Sequence, residues 1–217
     1  MTHRITLLRH GLSVANQNGV VQGQMDSPLS EVGVRQAQLL AARWQATGVG
    51  FDYMLASPLR RARTTAEIIA IALGLEVEYQ EHWLERLAGV AEGKTYEEID
   101  STLLNGVQPS SHDPLFEDGE SEWDLFLRAA AAVQDLVRRP AGRYLVVAHG
   151  AILAAVMRSI LGLTPPHGRV RPVRLSFENT GYSILSYDDD AARWTLHKHN
   201  LTDHLIEVGE DHSPVNG

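Results

Sequence analysis

The sequence predicts an α/β fold: a three-layer α/β/α sandwich with a mostly parallel central sheet, at least one antiparallel strand and a small helical insertion. Three observations predict it. Short apolar or alternating runs (residues 5–8, 53–56, 75–79 and 143–148) alternate with segments whose apolar residues recur every three or four positions, the change of period that separates strands from amphipathic helices. Repeated strand–helix–strand units need right-handed crossovers, which leave helices on both faces of a parallel sheet. Two of the apolar runs also end alike, on Arg9-His10-Gly11 and on Ala148-His149-Gly150, beyond the carboxyl ends of strands where such sheets bind ligands.

Each element follows from local composition. The first strand delivers Arg9 and His10, and Gly11 lets the backbone turn sharply. Residues 19–28 (GVVQGQMDSP) carry glycine and Asp-Ser-Pro turn signals and read as a loop. Ser30 caps a helix with Val34, Ala37, Leu40, Ala41 and Trp44 on one face, closed by Gly48. After the second strand, Ser57 is the expected cap and Pro58 the first residue of a long helix to Gly74, which puts Arg60, Arg61 and Arg63 on its opening turns. Residues 75–79 (LEVEY) alternate as a third strand, and the irregular stretch 82–93 carries Glu85.

Thr95 and Glu98 have the spacing of a capping box for a short helix, and 105–118 is a polar, proline-bearing excursion read as a lid or substrate-facing insertion. Residues 121–139 form an amphipathic helix, with Trp123, Phe126, Leu127, Ala130, Val133, Leu136 and Val137 assigned to its inner face. A buried strand, 143–148, leads into the apolar helix 151–161. Residues 173–177, 182–187 and 194–198 alternate around an Asp188-Asp189-Asp190 turn and suggest two or three final strands with at least one antiparallel pair, and a loose tail is expected from about 202 to 217. The reading is one domain, 1–217, with its insertion at about 95–120.

Composition narrows the function. A formal charge of −8 and a pI near 5.6 argue against nucleic acid or an anionic membrane as partner. Any bound anion needs a local cluster of arginine and histidine. The absence of cysteine excludes disulfides, thiol nucleophiles and Cys-ligated zinc. Met1-Thr2-His3-Arg4 runs straight into the first strand, and the apolar stretches 129–133 and 151–157 are short for a bilayer, so a cytoplasmic protein is expected. His197, His199 and His204 lack a carboxylate or cysteine to complete a metal set, so no metal is expected.

Topology brings His10, Arg61 and His149 to one edge of the sheet, where two histidines, Arg9, Arg61 and two helix N-termini form a site for a dianion. A histidine with a free ring nitrogen facing phosphorus is a competent nucleophile. Glu85, in the loop after the third strand, is the candidate general acid for the leaving alkoxide.

These residues also carry a resemblance. Leu8-Arg9-His10-Gly11 with Asn16, Gln22-Gly23 with Asp26, Pro28-Leu29-Ser30 and Gly33, Ser57-Pro58-Leu59 with Arg61-Ala62 and Thr65-Ala66, Glu85 with Gly89 and Glu92-Gly93, Gly119-Glu120-Ser121, and Val147-Ala148-His149-Gly150 resemble the histidine phosphatase superfamily, its phosphoglycerate-mutase-like group. The likeness spans 6–162. It implies His10 as nucleophile, Glu85 as proton donor and acceptor, and a phosphate pocket of Arg9, Asn16, Arg61, His149 and Gly150. Gln22 and Gly23 match substrate-facing positions. It also implies a phosphomonoesterase of the histidine acid phosphatase type, without metal or cofactor.

Two departures matter. Ala91 replaces the aromatic residue common before the Glu-Gly pair. Arg86-Leu87-Ala88-Gly89 stands where the cofactor-dependent mutases carry Arg-His-Tyr-Gly, and an intermediate shielded from water needs those groups. The expectation is therefore hydrolysis of a small phosphorylated metabolite, the alternatives being a mutase that retains the phosphoryl group or a non-catalytic phospho-ligand binding module. An edge strand near the amino or carboxyl end offers a pairing surface for a homodimer.

Overall fold

The structure, a computed structural model, describes residues 1–102, 110–165 and 173–206. β1 (Thr2–Arg9) runs parallel beside β4 (Arg143–Ala148), with Leu8 opposite Val147 and Arg9 opposite Ala148. On the far side of β4 lie β2 (Tyr53–Ala56) and β3 (Val77–Tyr79), both parallel. β5 (Tyr182–Asp188) runs antiparallel to β1, and β6 (Arg193–Leu201) antiparallel to β5. The order is β3-β2-β4-β1-β5-β6.

Alternation along the strands fills two cores. Ile5, Leu7, Leu55, Tyr144, Val146 and Ala148 face one side, against α5 (Glu122–Val137) and α6 (Gly150–Ile160). Leu8, Met54, Ala56, Leu145 and Val147 face the other, against α2 (Glu31–Ala46) and α3 (Arg60–Leu73). Strands buried on both faces explain the continuous apolar runs in the sequence. The three-layer sandwich is as expected.

Local signals hold at most helix ends. The Ser30 hydroxyl accepts the Gly33 amide at 3.1 Å, and Gly74 closes α3 with φ of 68°. Thr95 and Glu98 make their reciprocal bonds before α4 (Tyr96–Thr102). Gly33 presses α2 against the loop after His10 so closely that a Cβ there would strike the backbone of Leu12. A one-turn helix α1 (Val14–Gln17) follows that loop. No helix among the described residues is long and apolar enough to cross a membrane.

Three expectations are corrected, and of the two or three final strands the described residues form two. α3 starts at Arg60, after Leu59, with no side-chain cap at Leu59; Ser57 is buried, and its hydroxyl accepts the Leu59 amide at 3.3 Å from outside the helix. The buried stripe of α5 is Leu125, Ala129, Ala132 and Leu136, and Leu127 is 60% exposed. The capping box of Ser121 and Asp124 sets where the helix starts, and small alanines allow close contact with α6. Residues 173–177 form no strand, because arginine side chains take their carbonyls: Arg158 bonds Val173 O and Arg9 bonds Phe177 O. The tail is not loose at its start, since α7 (Asp203–Ile206) packs on α2 with His204 and Leu205 buried. The rest of the tail, 207–217, and residues 103–109 of the excursion lie outside the described residues. β1, near the amino end, is interior, so of the two terminal strands only β6 lies at an edge.

Candidate active site

Register builds the centre. Arg9 pairs with Ala148, and Ala56 with Val147, so β1, β4 and β2 end nearly flush and release His10, His149 and Ser57 side by side. The rings of His10 and His149 stand 5.1 Å apart between centroids, their planes at 60°.

His10 is 2% exposed. Its Nδ1–H donates to Gly11 O at 2.7 Å, which leaves the lone pair on Nε2. The main chain is fixed as well: the His10 carbonyl accepts the Asn179 side-chain amide at 3.1 Å and the Thr180 N–H at 3.2 Å. Burial, then the Arg61 and Arg9 charges, hold its pKa well below the usual histidine value. His149 is fully buried, and Nδ1 accepts from Arg61 Nε–H at 3.1 Å while Nε2 lies 2.7 Å from Ser57 Oγ. Burial, then Arg61, His10 and Arg9, push its pKa down in the same sense. Both rings are neutral at pH 7, as a nitrogen nucleophile requires.

Arg61 sits on the first turn of α3, its guanidinium anchored by donation to Met25 O at 2.9 Å and Gly23 O at 2.8 Å. Burial pushes its pKa down to about 10. Arg9 donates from Nη1 to Phe177 O at 2.7 Å, and its buried Nε–H has no acceptor among the described residues. A buried donor without an acceptor is costly, so this nitrogen is disposed to receive an anion. Burial lowers the Arg9 pKa, and the nearby Glu85 and Glu178 charges oppose that.

Glu85 completes the group. Its Oε1 accepts the Arg86 and Ile152 amides at 2.9 and 3.1 Å, and Oε2 accepts the Ala151 amide at 3.1 Å. His149, the N-cap of α6, supplies no side-chain cap, so Glu85 caps that helix from another loop. Gly150 opens the helix beside Arg9, where an added Cβ would sit 3.6 Å from Nε.

The remaining expected residues support the loops. Ser13 Oγ accepts the Asn16 N–H at 3.1 Å and lies 2.9 Å from Asn16 Oδ1 and 2.8 Å from Gln22 Oε1. One hydroxyl proton cannot serve both oxygens, so one of these amides presents its nitrogen to Ser13. Gly23, at φ of 50°, reaches the site through its carbonyl, and a Cβ would collide with the Glu92 carboxylate. Arg60 and Arg63 stay outside: the Arg60 amide bonds Asp26, and Arg63 lies 4.9 Å over the Tyr79 ring.

Sequence reasoning missed three supports. Ser57, expected as a cap, touches His149. Thr65 accepts the Gly11 amide at 3.1 Å and donates to Arg61 O at 2.7 Å, so it links the two halves of the site. Its position four residues after Arg61 on one helix face was the available signal. Thr180, at φ of 54°, and Asn179 form the turn under His10, which local composition did not reveal. His197, His199 and His204 bond Ser186, Ser183 and Thr180.

Two neutral histidines between buried arginines, at the carboxyl edge of a mostly parallel sheet, define a histidine-based site for phosphate chemistry. The sequence profile described as Histidine phosphatase superfamily (branch 1) matches residues 5–202, and the chain belongs to that family, in which the phosphohistidine mechanism is general. A protein of Yersinia enterocolitica named probable phosphoglycerate mutase GpmB is 34% identical over 213 residues, 93% of this chain and 94% of its own. A mycobacterial glucosyl-3-phosphoglycerate phosphatase solved with VO3 aligns with a TM-score of 0.77 at 29% identity, over 91% of this chain and 99% of that one. A phosphoserine phosphatase of Entamoeba histolytica, solved with phosphoserine, aligns at 0.76 and 26%, over 94% and 99%. The family makes the chain an enzyme of phosphatase or mutase type.

Proposed function

We propose that the chain is a metal-independent phosphatase that hydrolyses small-molecule phosphomonoesters through a phosphohistidine on His10, acting as one domain in the cytoplasm. The observation that carries this reading is the bond from His10 Nδ1 to Gly11 O, which turns Nε2 and its lone pair to the nucleophile's role. Nε2 attacks phosphorus and the ester P–O bond breaks. The leaving oxygen takes a proton from Glu85. Water then attacks the phosphohistidine and gives its proton to the Glu85 carboxylate, and the N–P bond breaks to return the Nε2 lone pair.

Arg9, Arg61, His149 and the amide end of α6 at Gly150 stabilise the charge of the transferring group, which supplies most of the rate in phosphoryl transfer. Asn16, Gln22 and Gly23 belong to the proposed pocket through the loops they hold, Gly23 by its bond to Arg61. Two structural neighbours named as phosphatases, one solved with VO3, support hydrolysis. The test is release of phosphate from p-nitrophenyl phosphate in EDTA. Wild-type protein is expected to release it, and His10→Ala to lose at least about 10³-fold in rate, the scale of removing a covalent nucleophile. Dependence on added metal, or an unchanged His10→Ala, overturns the mechanism.

The name of the Yersinia relative favours a second reading, a phosphoglycerate mutase. Against it, Arg86 is tied to Glu122 through two bonds of 3.0 and 2.7 Å, and Leu87 and Ala88 replace the mutases' His and Tyr. Interconversion of phosphoglycerates with little free phosphate decides for the mutase, and neither activity leaves the binding module. A homodimer formed along edge strand β6 belongs to the proposal, with sedimentation velocity as its check.

A further inference from the structure

Two helices hold Glu85 at once. The first amides of α6 fix its carboxylate, whereas the main chain around it is fixed from α5 by Arg128, with Gln24 Nε2 also donating to the Glu85 carbonyl at 3.0 Å. Arg128 Nη1 donates to the carbonyls of His82 at 3.1 Å and Leu84 at 2.6 Å, and Nη2 donates to the carbonyl of Glu85 itself at 3.1 Å. Glu120 closes the other edge of the guanidinium: Nε–H donates to Oε1 at 2.8 Å and Nη2 to Oε2 at 2.7 Å. The same Oε2 accepts the Leu87 amide at 2.9 Å, and the Glu120 amide donates to Leu87 O at 2.8 Å.

This stretch has no ladder of its own. Between the short 3-10 turns Glu81–Trp83 and Gly89–Ala91, residues 84–88 are irregular. Arg128 supplies the bonds that regular structure would otherwise give. One planar fork reaching three carbonyls and a carboxylate is an arrangement an ammonium group cannot reproduce. The pair is largely enclosed, with side chains 19% and 17% exposed, so it is not the solvated ion pair that contributes little.

Resting on the reading of Glu85 as the proton donor, we infer that Arg128, held by Glu120, is the positioning residue that aims the Glu85 carboxyl group at the leaving oxygen. Oε1 takes two amide bonds and Oε2 only one, so Oε2 keeps the open lone pair and is the oxygen that carries the proton. A main-chain shift of about 1 Å at such a group costs on the order of 10²-fold in rate. The Arg128 charge also acts on His149, as the smallest of five named influences on its pKa, led by burial. Arg128→Lys keeps a cation there but loses the fork, which separates the two effects.

The experiment measures kcat and KM for Arg128→Lys, Arg128→Met, Glu120→Gln and Glu85→Gln on p-nitrophenyl phosphate, whose leaving group needs no proton, and on glycerol 2-phosphate, whose leaving group does. For Arg128→Lys the expected result is a loss of about 10- to 100-fold in kcat/KM on glycerol 2-phosphate, with kcat/KM on p-nitrophenyl phosphate within about threefold, because kcat/KM ends at the phosphohistidine and leaves out the water step that Glu85 also serves. Glu120→Gln shows the same split, smaller, and carries the test with Arg128→Lys if Arg128→Met fails to fold. Equal losses in kcat/KM on both substrates, or no loss of kcat/KM on glycerol 2-phosphate, overturn the inference. If Glu85→Gln itself shows no split, the acid reading falls; a split in Glu85→Gln without one in Arg128→Lys overturns the positioning role alone.

Discussion

Arg61 Nε–H donates to His149 Nδ1 across 3.1 Å, so a phosphate-pocket guanidinium also fixes the tautomer of the second histidine. The remaining ring proton lies on Nε2, toward Ser57 Oγ. Removing Arg61 therefore does two things. It takes a fork from the phosphate pocket, and it lets His149 and His10 move back toward the ordinary histidine range, although burial, the larger cause, stays. Arg61→Met is expected to lower kcat/KM by about 10²-fold or more and to shift the acid limb of its pH profile upward. A loss of rate with an unmoved limb contradicts the electrostatic coupling.

Stability should respond to the same histidines. Unfolded histidine binds a proton near pH 6.5, whereas folded His10 and His149 bind theirs well below that. Between those values the unfolded chain holds more protons, so stability is complete above pH 6.5 and falls as the pH drops toward the folded pKa. The slope is up to about 1.4 kcal/mol per pH unit for each group. The lowered carboxylates of Asp52, Glu78 and Asp124 act only below about pH 4.5. Urea unfolding at pH 7.5 and 5.5 is expected to show the loss, and a His10→Gln/His149→Gln double variant to reduce it; equal slopes in both proteins argue against this origin.

Ser57→Ala removes the hydroxyl partner of His149 Nε2 and leaves a buried N–H without an acceptor. A fall of about tenfold in kcat is expected, the rate equivalent of one lost hydrogen bond, with KM nearly unchanged. Steady-state kinetics with p-nitrophenyl phosphate reads it directly, and a rise in KM at constant kcat would point to a different role.

Gly23→Ala combines strain with collision. At φ of 50° an alanine costs about 1–3 kcal/mol, and its Cβ would displace the Glu92 carboxylate that ties the Gln24 and Ala88 amides together. Because the Gly23 carbonyl anchors Arg61, a lower Tm and at least about a tenfold loss of kcat/KM should appear together. A stable protein with normal kinetics would show that Arg61 needs no such anchor.

The sequence showed most clearly what alternation and strand ends control. A sheet covered on both faces, Arg9 and His10 at a strand end, and the repeat of that ending at His149 were readable because period and topology suffice. The phase of α5 was legible only in its second half, where Val133, Leu136 and Val137 meet the core as expected. Trp123, Phe126 and Leu127 looked like the inner face by size, but Ala129 and Ala132 pack on α6, and Trp123 stacks on His112 at 5.3 Å. Ser57 was only half read: its hydroxyl does accept the local Leu59 amide at 3.3 Å, but its shorter bond, 2.7 Å, is to His149, 92 positions away. Residues 173–177 alternate like a strand, yet Arg9 and Arg158, both distant in sequence, take their carbonyls. In each case a long-range partner overrode local propensity.

The even termination of β1, β2 and β4 has a consequence for how new specificities arise. Strand register alone brings the two imidazoles together, so their placing does not depend on the loops around them. On the proposed mechanism, a change in those loops would be a change of clientele rather than of trade: a different alcohol released, by the same imidazole.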